Sequence, residues 1–202
     1  MNFKEFYRTL EGNKYYLFSY EDVLVFFPGE KRASLARTLS RWGKKNWIYS
    51  LKRGLYELTY PRNLNIPDLF IANKLYSPSY VSLETALSHY SIIPEVSMAV
   101  TSITSKPTRT FKNKHGLFVY RTVKPASFTG YHTEKYDNFD VLMAEPEKAL
   151  VDYIYFKTYH HKKFNAVEER LDKESISRLN KNKLNKYAKL YHFNLKRFYA
   201  YL

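Results

Sequence analysis

Apolar residues recur along the chain at two spacings, and the places where one gives way to the other predict its elements. Phe3, Phe6, Tyr7 and Leu10 follow the i, i+3, i+4, i+7 spacing of one helix face, and Gly12 supplies a stop. A second helix is predicted from Ser19, an N-cap with Asp22 three residues on as a capping box. It runs through Val23, Leu24, Phe26 and Phe27 to the Pro28–Gly29 turn. A third spans about Glu30 to Trp42. At about 100° per residue, Leu35, Leu39 and Trp42 share a narrow arc, the core side, while Ser34, Arg37, Thr38 and Arg41 group on the opposite arc. Trp47–Tyr49 and Leu55–Leu58 are rich in β-forming residues, and 50–54 between them reads as a hairpin tip.

Pro61, Asn63, Asn65 and Pro67 then interrupt the periodicity as a linker. Beyond it a short helix is predicted over Ile66 to Leu75. The next is capped by Ser79, carries a stripe of Leu83, Ala86, Leu87 and Tyr90, and is stopped by Pro94. Strands follow over 96–104, 108–111 and 117–123, the last two joined through a hairpin loop at 113–116, and 141–144 is a fourth. Pro146, flanked by Glu145 and Glu147, opens a helix in which only Asp152 is polar between Ala149 and Phe156, so burial nearly all round is expected. From Ser175 on, Ile176, Leu179, Leu184, Tyr187, Tyr191, Leu195, Phe198 and Leu202 keep helical spacing, with Lys181, Lys183, Lys186, Lys189, Lys196 and Arg197 on the other faces.

Charge sharpens this division. The chain of 202 residues carries 33 Lys and Arg against 19 acids, a formal net charge of +14. Residues 1–62 hold +6, 63–158 only +1 and 159–202 +7, so the excess sits at the two ends. The expected organisation is a DNA-binding domain over 1–62 and a second domain over 63–202, itself mixed α/β over 63–158 with a basic helical tail over 159–202. Helix, helix, basic helix and then a hairpin with Lys52 and Arg53 at its tip is the layout of a winged helix-turn-helix. Ser34, Arg37, Thr38 and Arg41 are expected to face a major groove, and Lys44, Lys45, Lys52 and Arg53 to meet phosphates. The fold class expected is therefore α+β. A chain with no Cys fits a reducing compartment, and its longest aliphatic and aromatic run, Val23 to Phe27, is far short of a membrane span. With no apolar signal core at its start, a cytoplasmic protein without membrane partners is expected.

Several fragments of the middle segment carry a resemblance. The run from Ile71 to Tyr90 (Ile-Ala-Asn-Lys-Leu-Tyr-Ser-Pro-Ser-Tyr-Val-Ser-Leu-Glu-Thr-Ala-Leu-Ser-His-Tyr), Ile93-Pro94-Glu95, 100–104, 116–120, Phe128-Thr-Gly-Tyr131 and the run from Ala144 to Asp152 follow in order. Together with the basic N-terminal module they resemble the AbiEi family of antitoxins over roughly residues 1 to 156. Ser91 stands where members often have Gly, and the tail after about Lys157 shows no family motif. The resemblance implies an antitoxin of a type IV toxin–antitoxin, abortive phage-infection system. Its winged helix binds repeats in its own promoter as a transcriptional repressor. Its C-terminal region counters a cognate nucleotidyltransferase-like toxin, indirectly and without a stable complex.

No catalytic constellation is expected. Lys148 and Asp152, i and i+4, read most simply as an ion pair on a narrow polar stripe. A metal nuclease built on Asp140, Glu147 and Lys148 lacks an acid two residues before the lysine, where Pro146 stands. The histidines, His89, His115, His132, His160, His161 and His192, include no i, i+4 pair, and neither a metal site nor a cofactor is expected. His160 and His161 adjoin Lys162 and Lys163 and read as surface polyanion contacts, or as no contact at all, rather than as metal ligands. The basic tail has two readings, a helix packed on the middle domain with a solvated face, or a second nucleic-acid surface reaching DNA or RNA. A direct toxin-binding antitoxin is the rival to indirect antagonism, and a nuclease the rival from another class.

Overall fold

The computed structural model describes residues 1–59, 65–94, 97–158, 168–193 and 195, and its chain divides into two compact units, Met1–Ile66 and Pro67–Leu202. Both mix helices and strands, so the protein is α+β. Pro61, Asn63, Glu95, Val96, His160, His161, Lys162, Lys163, Lys196, Arg197, Phe198 and Leu202 lie outside the described residues.

In the first unit the order is α1 (Phe3–Gly12), β1 (Leu17–Ser19), α2 (Tyr20–Phe26), α3 (Arg32–Lys44), β2 (Ile48–Lys52) and β3 (Leu55–Leu58). Asn2 caps α1 by accepting the Glu5 amide. The Ser19–Asp22 capping box forms in full, Ser19 Oγ accepting the Asp22 amide at 3.2 Å and Asp22 Oδ2 the Ser19 amide at 2.7 Å. Such reciprocal bonds satisfy two helix-end donors that burial would otherwise leave without partners. The three strands pair antiparallel in the order β1-β3-β2. One core joins them to the helices, with Phe6, Leu10, Phe18, Val23, Leu35, Leu39, Trp42, Ile48 and Leu58 all buried. Strand β1 has only three residues and adds to the elements that the periodicity predicts. The hairpin tip is also shorter than expected. A bulge between Ser50 and Lys52 lets Leu51 turn into the core, so the strand runs on to Lys52 and the turn is confined to Arg53–Gly54.

The second unit is built on a six-stranded mixed sheet, ordered β6-β7-β5-β4-β9-β8. Its strands are β4 (Ser79–Val81), β5 (Ala99–Thr104), β6 (Arg109–Asn113), β7 (Gly116–Thr122), β8 (Tyr131–Tyr136) and β9 (Phe139–Ala144). Pairs β5–β7 and β4–β9 are parallel and the rest antiparallel. Helix α4 (Asp68–Leu75) covers the face that Tyr120 points to, its hydroxyl donating to the Ala72 carbonyl at 2.6 Å. Helices α5 (Leu83–His89) and α6 (Pro146–Thr158) cover the other face, and α7 (Lys173–Ser177) and α8 (Lys181–Leu190) complete the unit, α8 packing on α6. Strands β4 and β9 share one registered pair, Val81 with Met143. Buried Asn73 stitches them together, accepting the Leu142 amide at 2.7 Å and donating to the Leu142 and Ser79 carbonyls.

The structure corrects three expectations over residues 66–94. Ser79 is a strand residue, not a helix cap, because it starts the fully buried strand β4, and α5 begins only after Ser82. Pro94 does not end α5. The helix stops at His89, where Ser91 takes a left-handed φ of 56° and the Ile92 amide returns to the Leu87 carbonyl at 2.8 Å. Pro67 excludes Ile66 from α4, since the residue before proline is driven out of the helical region. The left-handed Ser91 carries a prediction. Ser91→Gly relieves the side-chain clash and is expected to raise stability by about 0.5–1 kcal/mol in urea denaturation.

Candidate nucleic-acid interface

Helix α3 buries Leu35, Leu39 and Trp42 and turns its opposite side outward. Arg37, Arg41 and Lys44 are exposed there, and they line a shallow groove together with Ala36, Ser40 and Lys45. Arg37 to Arg41 to Lys45 rises about 6 Å per step along the axis, so three cations span roughly two turns. Ser40, absent from the expected set, lies in the middle of this face. Two of the expected groove residues sit less centrally. Thr38 is half-buried toward the core side, and the Ser34 hydroxyl donates to the Lys31 carbonyl at 2.8 Å within the first helical turn. The reason is angular, because at about 100° per residue the point opposite the core arc falls between Ser40, Lys44 and Arg37.

The neighbouring charges differ in how they are held. Lys45 places its ammonium 4.6 Å from the Trp47 ring centre, a cation–π contact that fixes it beside the helix end. Arg32, at the start of α3, pairs with Glu21 at 2.9 Å and lies over the Tyr20 ring. The first turn of α3 is therefore partly neutralised, whereas among the described residues Arg37, Arg41 and Lys44 form no ion pair. At the hairpin, Arg53 is exposed in the turn and Gly54 holds a φ of 82° that the two-residue turn requires. Lys52 is half-buried at the end of β2. The hairpin is tied to the start of α2 by a 2.7 Å hydrogen bond between the Tyr20 and Tyr56 hydroxyls. Burial, helped by that bond, pushes the Tyr56 phenol well above its usual range. The expected α3 and hairpin cations thus belong to one small unit.

In the second unit the three residues of the nuclease reading engage different partners. Asp140 is exposed and pairs with Lys135 at 2.9 Å, whereas Glu147 is buried and accepts the Asn180 amide at 2.9 Å. Lys148 points elsewhere, into the core. It pairs with Asp152 at zero exposure for both, so the ion pair expected on a narrow polar stripe of α6 forms, as part of an internal cluster. Asp152 also accepts the Tyr80, Ser82 and Tyr191 hydroxyls, and Lys148 donates to Tyr191 at 3.0 Å. Burial pulls the Lys148 ammonium below its ordinary range, and Asp152 acts against that shift.

His89 lies 3.0 Å from Glu134 and 3.1 Å from the Tyr136 hydroxyl, and His115 lies 3.3 Å from Asp68. Among the described residues, no three His, Asp or Glu side chains converge on a metal-sized site, and no helix is long and apolar enough to cross a membrane. In the tail, α8 buries Leu184, Tyr187 and Ala188 against the unit and leaves Lys181, Lys183, Lys186 and Lys189 exposed. Lys183 is committed to Glu145 at 2.9 Å, which raises its pKa, while Lys186 and Lys189 line a groove with Asn182, Asn185 and His192. No protein-family model matches the chain, and no characterised protein matches it in sequence.

Proposed function

We propose that the protein is a DNA-binding transcriptional autorepressor and antitoxin of the AbiEi type, whose first unit is a winged helix-turn-helix. One observation carries the reading. The element order α-β-α-α-β-β, closed by a β1-β3-β2 sheet, presents an exposed cationic helix beside a hairpin with Arg53 at its turn. In a winged helix that helix enters the major groove and the hairpin reaches an adjacent phosphate backbone. Arg37 and Arg41, with Ser40 between them, supply planar donors and a small hydroxyl for base edges and phosphates. Lys44, Lys45 and Arg53 extend the phosphate track, with Lys52 beside them. The antitoxin role rests on the resemblance of residues 71–152 to the family, and the antagonism of a nucleotidyltransferase-like toxin is assigned to the second unit.

The two roles separate by substitution. With the chain's own promoter driving a reporter, Arg37→Ala combined with Arg41→Ala and Lys44→Ala is expected to relieve repression about tenfold or more. The same full-length variant is expected still to rescue cells producing a cognate toxin of the nucleotidyltransferase-like kind that the resemblance implies. Undiminished repression would remove the DNA-binding assignment. Failure of the wild-type chain to rescue would remove the antitoxin assignment and leave the first intact.

A further inference from the structure

The near-neutral middle of the chain conceals a concentrated charge. Residues 106–124 contain six Lys and Arg and no acid, while the rest of 63–158 sums to −5. These nineteen residues form β6, β7 and their flanks, the edge of the second sheet. Their alternation sorts the charges by face. Arg109 and Phe111 pair across from Tyr120 and Phe118 and so share the α4 face, whereas Lys112 and Arg121 belong to the opposite one.

On the α4 face, the cations sit over aromatic rings. The Arg109 guanidinium lies 5.7 Å from the Tyr76 ring centre and 5.9 Å from that of Phe111, and the Lys106 ammonium lies 5.6 Å from Tyr76. Both rings are half-buried, which leaves part of each accessible, and the two stand 5.8 Å apart. Among the described residues neither Lys106 nor Arg109 forms an ion pair, so their charge is not cancelled locally.

We propose that this aromatic and cationic face, built from Lys106, Arg109, Phe111 and Tyr76 at the β6 edge, binds single-stranded nucleic acid. Cations hold the phosphates, and the accessible rings with the guanidinium plane stack on unpaired bases. A duplex keeps its base faces stacked internally and offers this surface phosphates alone, so the face selects single strands. The inference is independent of duplex binding by α3, since it lies in the other unit.

The test is fluorescence anisotropy with labelled mixed-sequence oligonucleotides of RNA and DNA, about 15 nucleotides long to cover one binding site, single-stranded and duplex. It uses the full-length chain carrying Arg37→Ala, Arg41→Ala and Lys44→Ala. In that background, Lys106→Ala with Arg109→Ala is expected to weaken single-strand binding about tenfold or more. Phe111→Leu, which keeps an apolar side chain in place, should weaken it about fivefold with an unchanged melting curve. Tighter binding of the RNA strand would identify RNA as the source, and tighter binding of the DNA strand would identify DNA. The proposal is overturned if the background protein binds no single strand, or if Lys106→Ala with Arg109→Ala leaves affinity unchanged. It is also overturned if Lys112→Ala with Arg121→Ala, on the opposite face, costs as much.

Discussion

Asp152→Ala is expected to destabilise the second unit by about 3–5 kcal/mol, the usual cost of removing one partner from a buried ion pair. The substitution leaves the Lys148 ammonium at zero exposure with, among the described residues, the Tyr191 hydroxyl to accept from it. It also strips the Tyr80 and Ser82 hydroxyls of the acceptor they share, and each buried orphan adds about 1–3 kcal/mol where no relaxation relieves it. A loss of that size is a large share of the roughly 5–15 kcal/mol available to a domain, and corresponds to a fall in melting temperature on the order of 10 °C. Replacing both charges together, Lys148→Met with Asp152→Leu, removes the uncompensated ion and should recover part of the loss. Both tryptophans, Trp42 and Trp47, lie in Met1–Ile66, so their emission follows the first unit. Unfolding of the second unit is therefore read by far-ultraviolet circular dichroism. A change smaller than about 1 kcal/mol would mean that the cluster is not a buried charge pair.

Gly130→Ala is the second substitution with a large effect, expected to cost about 2–4 kcal/mol from backbone strain and overpacking together. Gly130 has a φ of 76°, where a side chain costs roughly 1–2 kcal/mol. A Cβ there would also lie 2.7 Å from two ring carbons of Tyr187. Tyr187 cannot yield freely, because it is buried on α8 and its hydroxyl donates to Glu145 at 2.9 Å. The Glu145 amide in turn donates to the Gly130 carbonyl at 2.9 Å, so a shift of one disturbs the other. The expected consequence is release of α8, seen as faster amide exchange over Lys181–Leu190 before the rest of the unit opens. In a Tyr187→Ala background the steric part vanishes, and Gly130→Ala should then cost only the backbone part, about 1–2 kcal/mol. Equal costs in the two backgrounds would show that the close approach is not felt.

Several of the residues that suggest the family resemblance hold the fold together. Asn73 bridges β4 and β9, Tyr90 donates to the Ala144 carbonyl, Gly130 admits Tyr187, and Tyr80, Ser82, Lys148 and Asp152 form one buried network. That helix α6 is buried nearly all round is readable from its composition. That its ion pair is buried is not, because i, i+4 spacing reports which side chains meet and says nothing of what covers them. The first three helices are legible because each has its core face on a single 3.6-residue period with a cap or breaker at one end. Strand β8 is not. Its Tyr-His-Thr-Glu-Lys-Tyr sequence lies at an exposed sheet edge, where burial imposes no alternation. Strands β1 and β4, three residues each, are too short to display a period. On α3 the cations are readable, yet polar character alone shifts the centre of the exposed arc toward Ser34 and Thr38, since a small hydroxyl is equally at home at a half-buried margin. The edge charge of residues 106–124 disappears when it is averaged with acids that the fold places elsewhere.

The central claim, duplex DNA binding through the outer face of α3, is tested most directly by affinity for the chain's own upstream duplex as a function of salt. Removing one cation that meets a phosphate should lower the slope of log K against log salt by about one. Removing three together should weaken binding about a hundredfold or more near physiological ionic strength. The full-length protein with Arg37→Ala, Arg41→Ala and Lys44→Ala is thus expected to bind about a hundredfold more weakly than wild type, with a slope shallower by about three. An unchanged dissociation constant and an unchanged slope would contradict the assignment of α3 to DNA.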